Sequence, residues 1–319
     1  MTPRRTLRAR LAAAAATVVA MACGVTLGPV GPAHADEPVV IVEPVPDLGG
    51  DPLPVVEVTK PCGGVADYGP RQRRRLVRIT DPRRIDRLPP MAALRRGARV
   101  MAEVAPTLVR ANDRRGIFAV FYGNILGEAA PALADGSSYD DPAWSRKVSI
   151  TFFRPYLAAL HASLANQRVP KNWRTYYRLA ADCSVSPGRV AMAGLDAHLI
   201  LDFPVAIARS GARPAHFGDY YAIGELLQDA TVDIGEDLKR TYGADLTEFF
   251  HLWALGDSLD SVAGDGATTT LLFQGIRTVA FSYGLGLRSD HGRLTRAAMR
   301  ATYYAAESVS DALTDARLI

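Results

Sequence analysis

Residues 188–211 read GRVAMAGLDAHLILDFPVAIARSG, an apolar stretch that carries Asp196, His198 and Asp202 at its centre. At about 100° per residue, Val190, Leu195, Leu199, Ile200, Leu201 and Phe203 fall on every side of a helix. A helix apolar all round is one enclosed by other helices, so this stretch belongs inside a bundle. Ser186 as N-cap and Pro187 at the first helical position give it a start, because a proline there has no amide to leave unbonded. Pro204 predicts its end: the ring clashes with the carbonyl of Ile200 and disfavours helical angles at Phe203.

His198 and Asp202 stand four residues apart, which puts both side chains on one flank of a helix within reach of a common partner. Two readings follow. One is chemistry, with the pair as catalytic residues: a histidine base held by a carboxylate, or two ligands of a divalent metal. The other is a core histidine bonded to its neighbour, with Asp202 capping the helix after Pro204.

Working outward, the chain of 319 residues divides by composition. Residues 1–35 have the layout of a secretory signal: Arg4, Arg5, Arg8 and Arg10, an apolar run from Leu11 to Val25, then Ala33-His34-Ala35 as a small-residue cleavage site. The mature chain is expected to begin at Asp36 and to be secreted or held at the cell envelope. No later apolar run reaches the ~18 uninterrupted residues of a membrane span, so no transmembrane segment is expected in the mature chain. Cleavage removes Cys23, leaving Cys62 and Cys183, an even pair that in an exported protein predicts a disulfide.

Cleavage also removes four arginines and no acids, which leaves 33 basic and 33 acidic residues. The charge is segregated. Residues 36–70, rich in proline and acids, carry net −6 and read as an extended arm; residues 71–115 hold 14 arginines against 4 acids. Of that stretch, 71–89 reads as an arginine-rich entry segment and 90–319 as a helical domain. The basic run suits anionic polymers as well as it suits the acidic arm, and no nucleic acid is expected as a partner.

After residue 90 every long periodic segment fits a 3.6-residue period and none alternates cleanly, so the fold is expected to be all-α, a single multi-helix bundle. Helices are expected over 90–111, 116–130, from Asp141-Pro142 to about Asn166, and 171–182. After the central stretch they continue from an Asp219 cap to about Tyr242, then over 245–262, 268–285 and 291–316. In the second, Asn124 and Glu128 flank the core face; in the third, His161 borders its stripe. Glu128, His161, His198 and Asp202 thus form a candidate metal set of the carboxylate–histidine kind found inside helix bundles, with a divalent metal as the implied cofactor. Asn124, Asp196 and Asp233 are candidate binding residues. Glu248 and His251 make a single Glu-x-x-His pair, and His216 reads as a surface loop residue. No serine-nucleophile elbow, zinc-protease helix, phosphate loop or dinucleotide fingerprint is present.

The central motif carries a family resemblance. Asp196-Ala197-His198-Leu199-Ile200-Leu201-Asp202-Phe203-Pro204 resembles the Asn-Ala-His-Ile-Asn-x-Asp-Leu-Pro signature of the domain of unknown function 5995 family, together with Ala193-Gly194 before it and Val205-Ala206 after it. The resemblance implies that His198, Asp202 and Pro204 belong to the family motif and that Asp196 and Ile200 replace its two asparagines. It brings no activity. Two functions of different class remain: an extracellular helical domain that binds an envelope component or small molecule, and a metal-dependent or acid–base hydrolase with its pocket at His198 and Asp202.

Overall fold

A computed structural model describes residues 65–246 and 267–319, with the side chains at 228, 229, 232 and 267–273 excepted. The described chain is all-α, with no strand. Its helices are α1 (Pro70–Thr80), α2 (Arg83–Asp86), α3 (Pro90–Arg110), α4 (Ile117–Asp135), α5 (Pro142–Leu164), α6 (Arg174–Ala180), α7 (Pro187–Leu195), α8 (Phe203–Arg209), α9 (Phe217–Tyr242), α10 (Ala267–Gly286) and α11 (Gly292–Asp315). Prolines open α1, α3, α5 and α7, where the missing amide costs nothing. The expected helix over 245–262, with its Glu248 and His251, lies outside the described residues.

Sequence periodicity reads through to packing. In α9, Ile223, Leu227, Ala230, Ile234 and Leu238 recur at helical spacing and are all buried. In α3 the stripe of Leu94, Met101, Val104 and Leu108 does the same, and packs on α4. The entry segment is itself helical: α1 and α2 bury Leu76 and Ile85 and lie against α5 and α3. Asp219 does not cap α9. That helix starts two residues earlier, and Asp219 in its first turn accepts the backbone N–H groups of Asp140 and Asp141 at 2.6 and 2.8 Å.

The central stretch is enclosed as expected, with α4, α6 and α11 around α7, and α5 and α10 around α8. It does not break at Pro204. Residues Asp196–Asp202 form a π-helical segment between α7 and α8, in which the Phe203 N–H donates to the carbonyl of His198, five residues back. The wider turn frees the backbone ahead of Pro204 from the Ile200 carbonyl that an α-helical ring would strike, so Pro204 sits in the first turn of α8 without ending the rod. Gly194 lets α7 approach α4: a Cβ there would stand 2.5 Å from the Phe118 ring.

By length and composition two helical stretches, Arg114–Asp135 and Pro187–Arg209, are apolar enough to cross a membrane, against the expectation that no such run follows the signal. The same property is what the core of a bundle requires, and 78% of the apolar window in Pro187–Arg209 is buried within the domain.

Candidate functional site

His198 lies in the π segment with its ring fully enclosed, at 0% exposure. Its ring stacks on Phe152 of α5 at 3.6 Å between centroids, and Phe152 stacks in turn on Phe203 at 3.9 Å. Tyr122 and Phe118 of α4 meet it edge-on at 5.0 and 5.4 Å. The histidine's hydrogen bond runs to Tyr122, whose hydroxyl stands 2.6 Å from Nε2. Burial pushes the Tyr122 hydroxyl well above its ordinary range, and burial holds the His198 imidazole below its own, with nearby Asp202 opposing. Both groups are therefore neutral at pH 7. The imidazole tautomer sets which of Tyr122 and Nε2 donates; the other ring nitrogen, Nδ1, faces the Asp202 carboxylate.

Asp202 is not the bonded partner that the sequence spacing suggested. Its Oδ2 is 3.9 Å from His198 Nδ1, too far for a hydrogen bond, and Nδ1 has no partner. Nor does its side chain cap α8. It accepts instead from Trp173 Nε1 at 2.7 Å and Asn172 Nδ2 at 3.0 Å, both on the short 3₁₀ turn Lys171–Trp173. Two donors from a separate element thus satisfy one oxygen each, and draw the carboxylate off the histidine. Neither the turn's Asn172-Trp173 nor Tyr122 was singled out from sequence; the partners lie 30 and 76 residues away along the chain from the groups they serve.

The candidate metal set does not assemble. Glu128 is exposed on α4, and His161 is half-buried at the end of α5, its Nδ1 3.3 Å from Thr80 Oγ1 of α1. Among the described residues no three His, Cys, Asp or Glu side chains are placed to hold one ion. Helical spacing fixes which flank of its own helix a residue occupies, and Glu128 and His161 occupy flanks that do not face His198.

Asp196, the first residue of the π segment, belongs to a second cluster. It is buried and accepts from Ser310 Oγ of α11 at 3.3 Å. Beside it, Arg189 of α7 bridges Glu307 at 2.5 Å and Asp311 at 2.9 Å, both on α11. Burial, then the Glu307 charge, pushes the Asp196 carboxyl up to about 8, with Arg189 opposing. This is a helix-docking contact rather than an open binding residue.

Asn124 and Asp233 are brought together. Tyr122 and Asn124 are two residues apart on α4, hence roughly opposite in direction. Tyr122 enters the core, while Asn124 faces a solvent-open cleft of about 540 Å³ between α4 and α9. Asn124 Nδ2 donates to Asp237 Oδ2 at 3.0 Å, Arg240 pairs with the other oxygen of Asp237, and Asp233, Glu236 and Lys239 complete the lining. His216, expected at the surface, is buried and stacks on Trp144 at 4.5 Å, with its Nδ1 accepting the Arg213 N–H.

The model of the family of unknown function DUF5995 matches residues 98–303, which runs from within α3 to the middle of α11 and takes in the whole π segment. The chain belongs to that family. The DUF5995 match encloses both His198 with its aromatic shell and the α4–α9 cleft, and leaves α1 and α2 outside it. No curated protein and no solved structure matches the chain.

Proposed function

We infer that this DUF5995 protein is an exported helical domain that binds a component of the cell envelope or a small molecule, rather than a hydrolase worked by His198 and Asp202. The observation that supports this reading is the enclosure of His198. Catalysis needs the base within about 3 Å of a substrate atom, or one water away. Here the ring faces are covered by Phe152 and the α4 aromatics, Nε2 is engaged by Tyr122, and Asp202 is engaged by Trp173 and Asn172. A polar concavity that solvent reaches is the α4–α9 cleft with Asn124 and Asp233, which supports a ligand site away from the motif.

On this reading His198 shapes the core. His198→Ala leaves a void against Phe152 and strands the Tyr122 hydroxyl, and is expected to destabilise the fold by roughly 2–4 kcal/mol. His198→Gln keeps a polar partner for Tyr122 and is expected to cost less. The test is a hydrolase screen of the purified mature chain and of His198→Gln, with circular dichroism and thermal melting on each. Hydrolysis by the parent that vanishes in a His198→Gln protein of parental spectrum and melting temperature would overturn the binding reading.

A further inference from the structure

We propose that the exposed face of α1, α2 and α3 is a docking surface for an anionic phospholipid bilayer, held there by arginine side chains on the lipid phosphates. This face is separate from the α4–α9 cleft, and the proposal rests on the envelope-binding reading only for the chain's export.

On α1, Arg71, Arg74, Arg75 and Arg78 follow the i, i+3, i+4, i+7 rule, so they form one stripe; all four are exposed, and the opposite side carries buried Leu76 and Thr80. On α3, Arg95 and Arg99 are exposed four residues apart, and Glu103 continues their row. The two rows share a surface, because Arg75 of the first reaches Glu103 of the second at 2.5 Å. Between them in the chain, Arg84 and Arg87 around α2 are exposed as well.

Every acid in this segment is already engaged. Asp81 is paired with Arg83 at 2.7 Å, Asp86 with Arg154 of α5 at 3.2 Å, Glu103 with Arg75, and Asp113 with the buried Arg115 at 2.6 Å. Arg114 is buried too and gives its guanidinium to the carbonyls of Asp182 and Val185 at 2.7 Å each. Arg71, Arg74, Arg78, Arg84, Arg95 and Arg99 pair with no carboxylate among the described residues. Among the described residues their charge is uncompensated, and a guanidinium fork is built for phosphate oxygens.

The face carries charge without the features that read a nucleic acid. No Phe, Tyr or Trp occurs from residue 70 to 117, so no base-stacking platform interrupts the arginines, and Gln72 is the one amide in α1. Two charged rows tied side by side suit a plane of phosphates, and an export signal directs the chain to membranes and away from nucleic acid.

The experiment is cosedimentation of the mature chain with vesicles of phosphatidylcholine alone and of phosphatidylcholine with 30% phosphatidylglycerol, at about 50 and 500 mM salt. Binding is expected for the anionic vesicles at low salt, none for the neutral ones, and loss at high salt. Each arginine near an anionic surface strengthens binding about five-fold, so Arg74→Gln/Arg78→Gln is expected to weaken it about 25-fold. Arg293→Gln/Arg300→Gln, exposed on α11, should leave it unchanged. Equal binding to neutral vesicles, or no effect of the Arg74/Arg78 pair, overturns the proposal. So does an intact chain that stays in solution at low salt, which favours the acidic arm, net −6 over residues 36–70, as the occupant. A duplex oligonucleotide that binds more tightly than the vesicles at the same salt reassigns the face to nucleic acid. Cell fractionation tests export separately, so a chain that binds vesicles but is never exported refutes the envelope-binding reading alone.

Discussion

Asp196 shows how one atom pair sets a pH dependence. The carboxyl group is buried, 6% exposed, and the nearby Arg189 is shared by Glu307 and Asp311. A carboxyl held at about 8 in the folded protein titrates near 3.9 when unfolded. Between those values the folded state keeps a proton that the unfolded chain has released, so stability falls as pH rises from about 4 to about 8 and levels off above. Asp196→Asn removes that dependence while keeping the shape. Urea unfolding should find the variant within error of the parent at pH 4 and more stable by on the order of 5 kcal/mol at pH 8. Equal stabilities at pH 8 would show that Asp196 is not held protonated. The spacing of Asp196 before His198 told none of this, because the groups that decide its protonation sit more than 100 residues later, on α11.

At the scale of the element, the π segment decides what Pro204 does. In an α-helical interior a proline costs about 3 kcal/mol, so replacing it with alanine would stabilise the rod. After a π turn the proline occupies an opening position of α8 and loses nothing, while it still restricts the unfolded chain. Pro204→Ala is therefore expected to destabilise by less than about 1 kcal/mol in chemical denaturation. A gain of stability would mean that the ring is strained and the π reading wrong. Most helices here were legible because their apolar residues recur at 3.6: α3, α5 and α9 follow their stripes closely. The π turn was not, since a clash between Pro204 and the Ile200 carbonyl is inferred only if α geometry is assumed throughout. The His198 site was half legible for a related reason. Spacing puts Asp202 on the same flank, but the bonds go to whichever donors tertiary packing delivers, Tyr122 for one and Trp173 with Asn172 for the other.

At the scale of the whole molecule, the sequence predicts one covalent tie, between Cys62 and Cys183. Cys183 is exposed in the turn between α6 and α7, and that turn is fastened to the α3–α4 corner by Arg114, which bonds the carbonyls on either side of it at Asp182 and Val185. Cys62 lies outside the described residues. If residues 1–35 leave as a signal, Cys23 leaves with them, and Cys62 and Cys183 are the two thiols of the processed chain. A bridge between them would close a loop of about 120 residues and stabilise the fold by on the order of 4 kcal/mol in the chain-entropy model. It would also fix the arm beside the N-terminus of the central helix, at a turn already held by two part-buried hydrogen bonds. Processed protein isolated without reductant should start at Asp36, show no thiol reactivity when denatured, and gain two mass units on reduction. Reduction, or Cys62→Ser, should lower the melting temperature while leaving the helical spectrum intact, because the buried apolar cluster contains no cysteine among the described residues. Two reactive thiols per chain in the unreduced, denatured protein would sink the pairing, and a chain still beginning at Met1 would remove the oxidising compartment on which it depends.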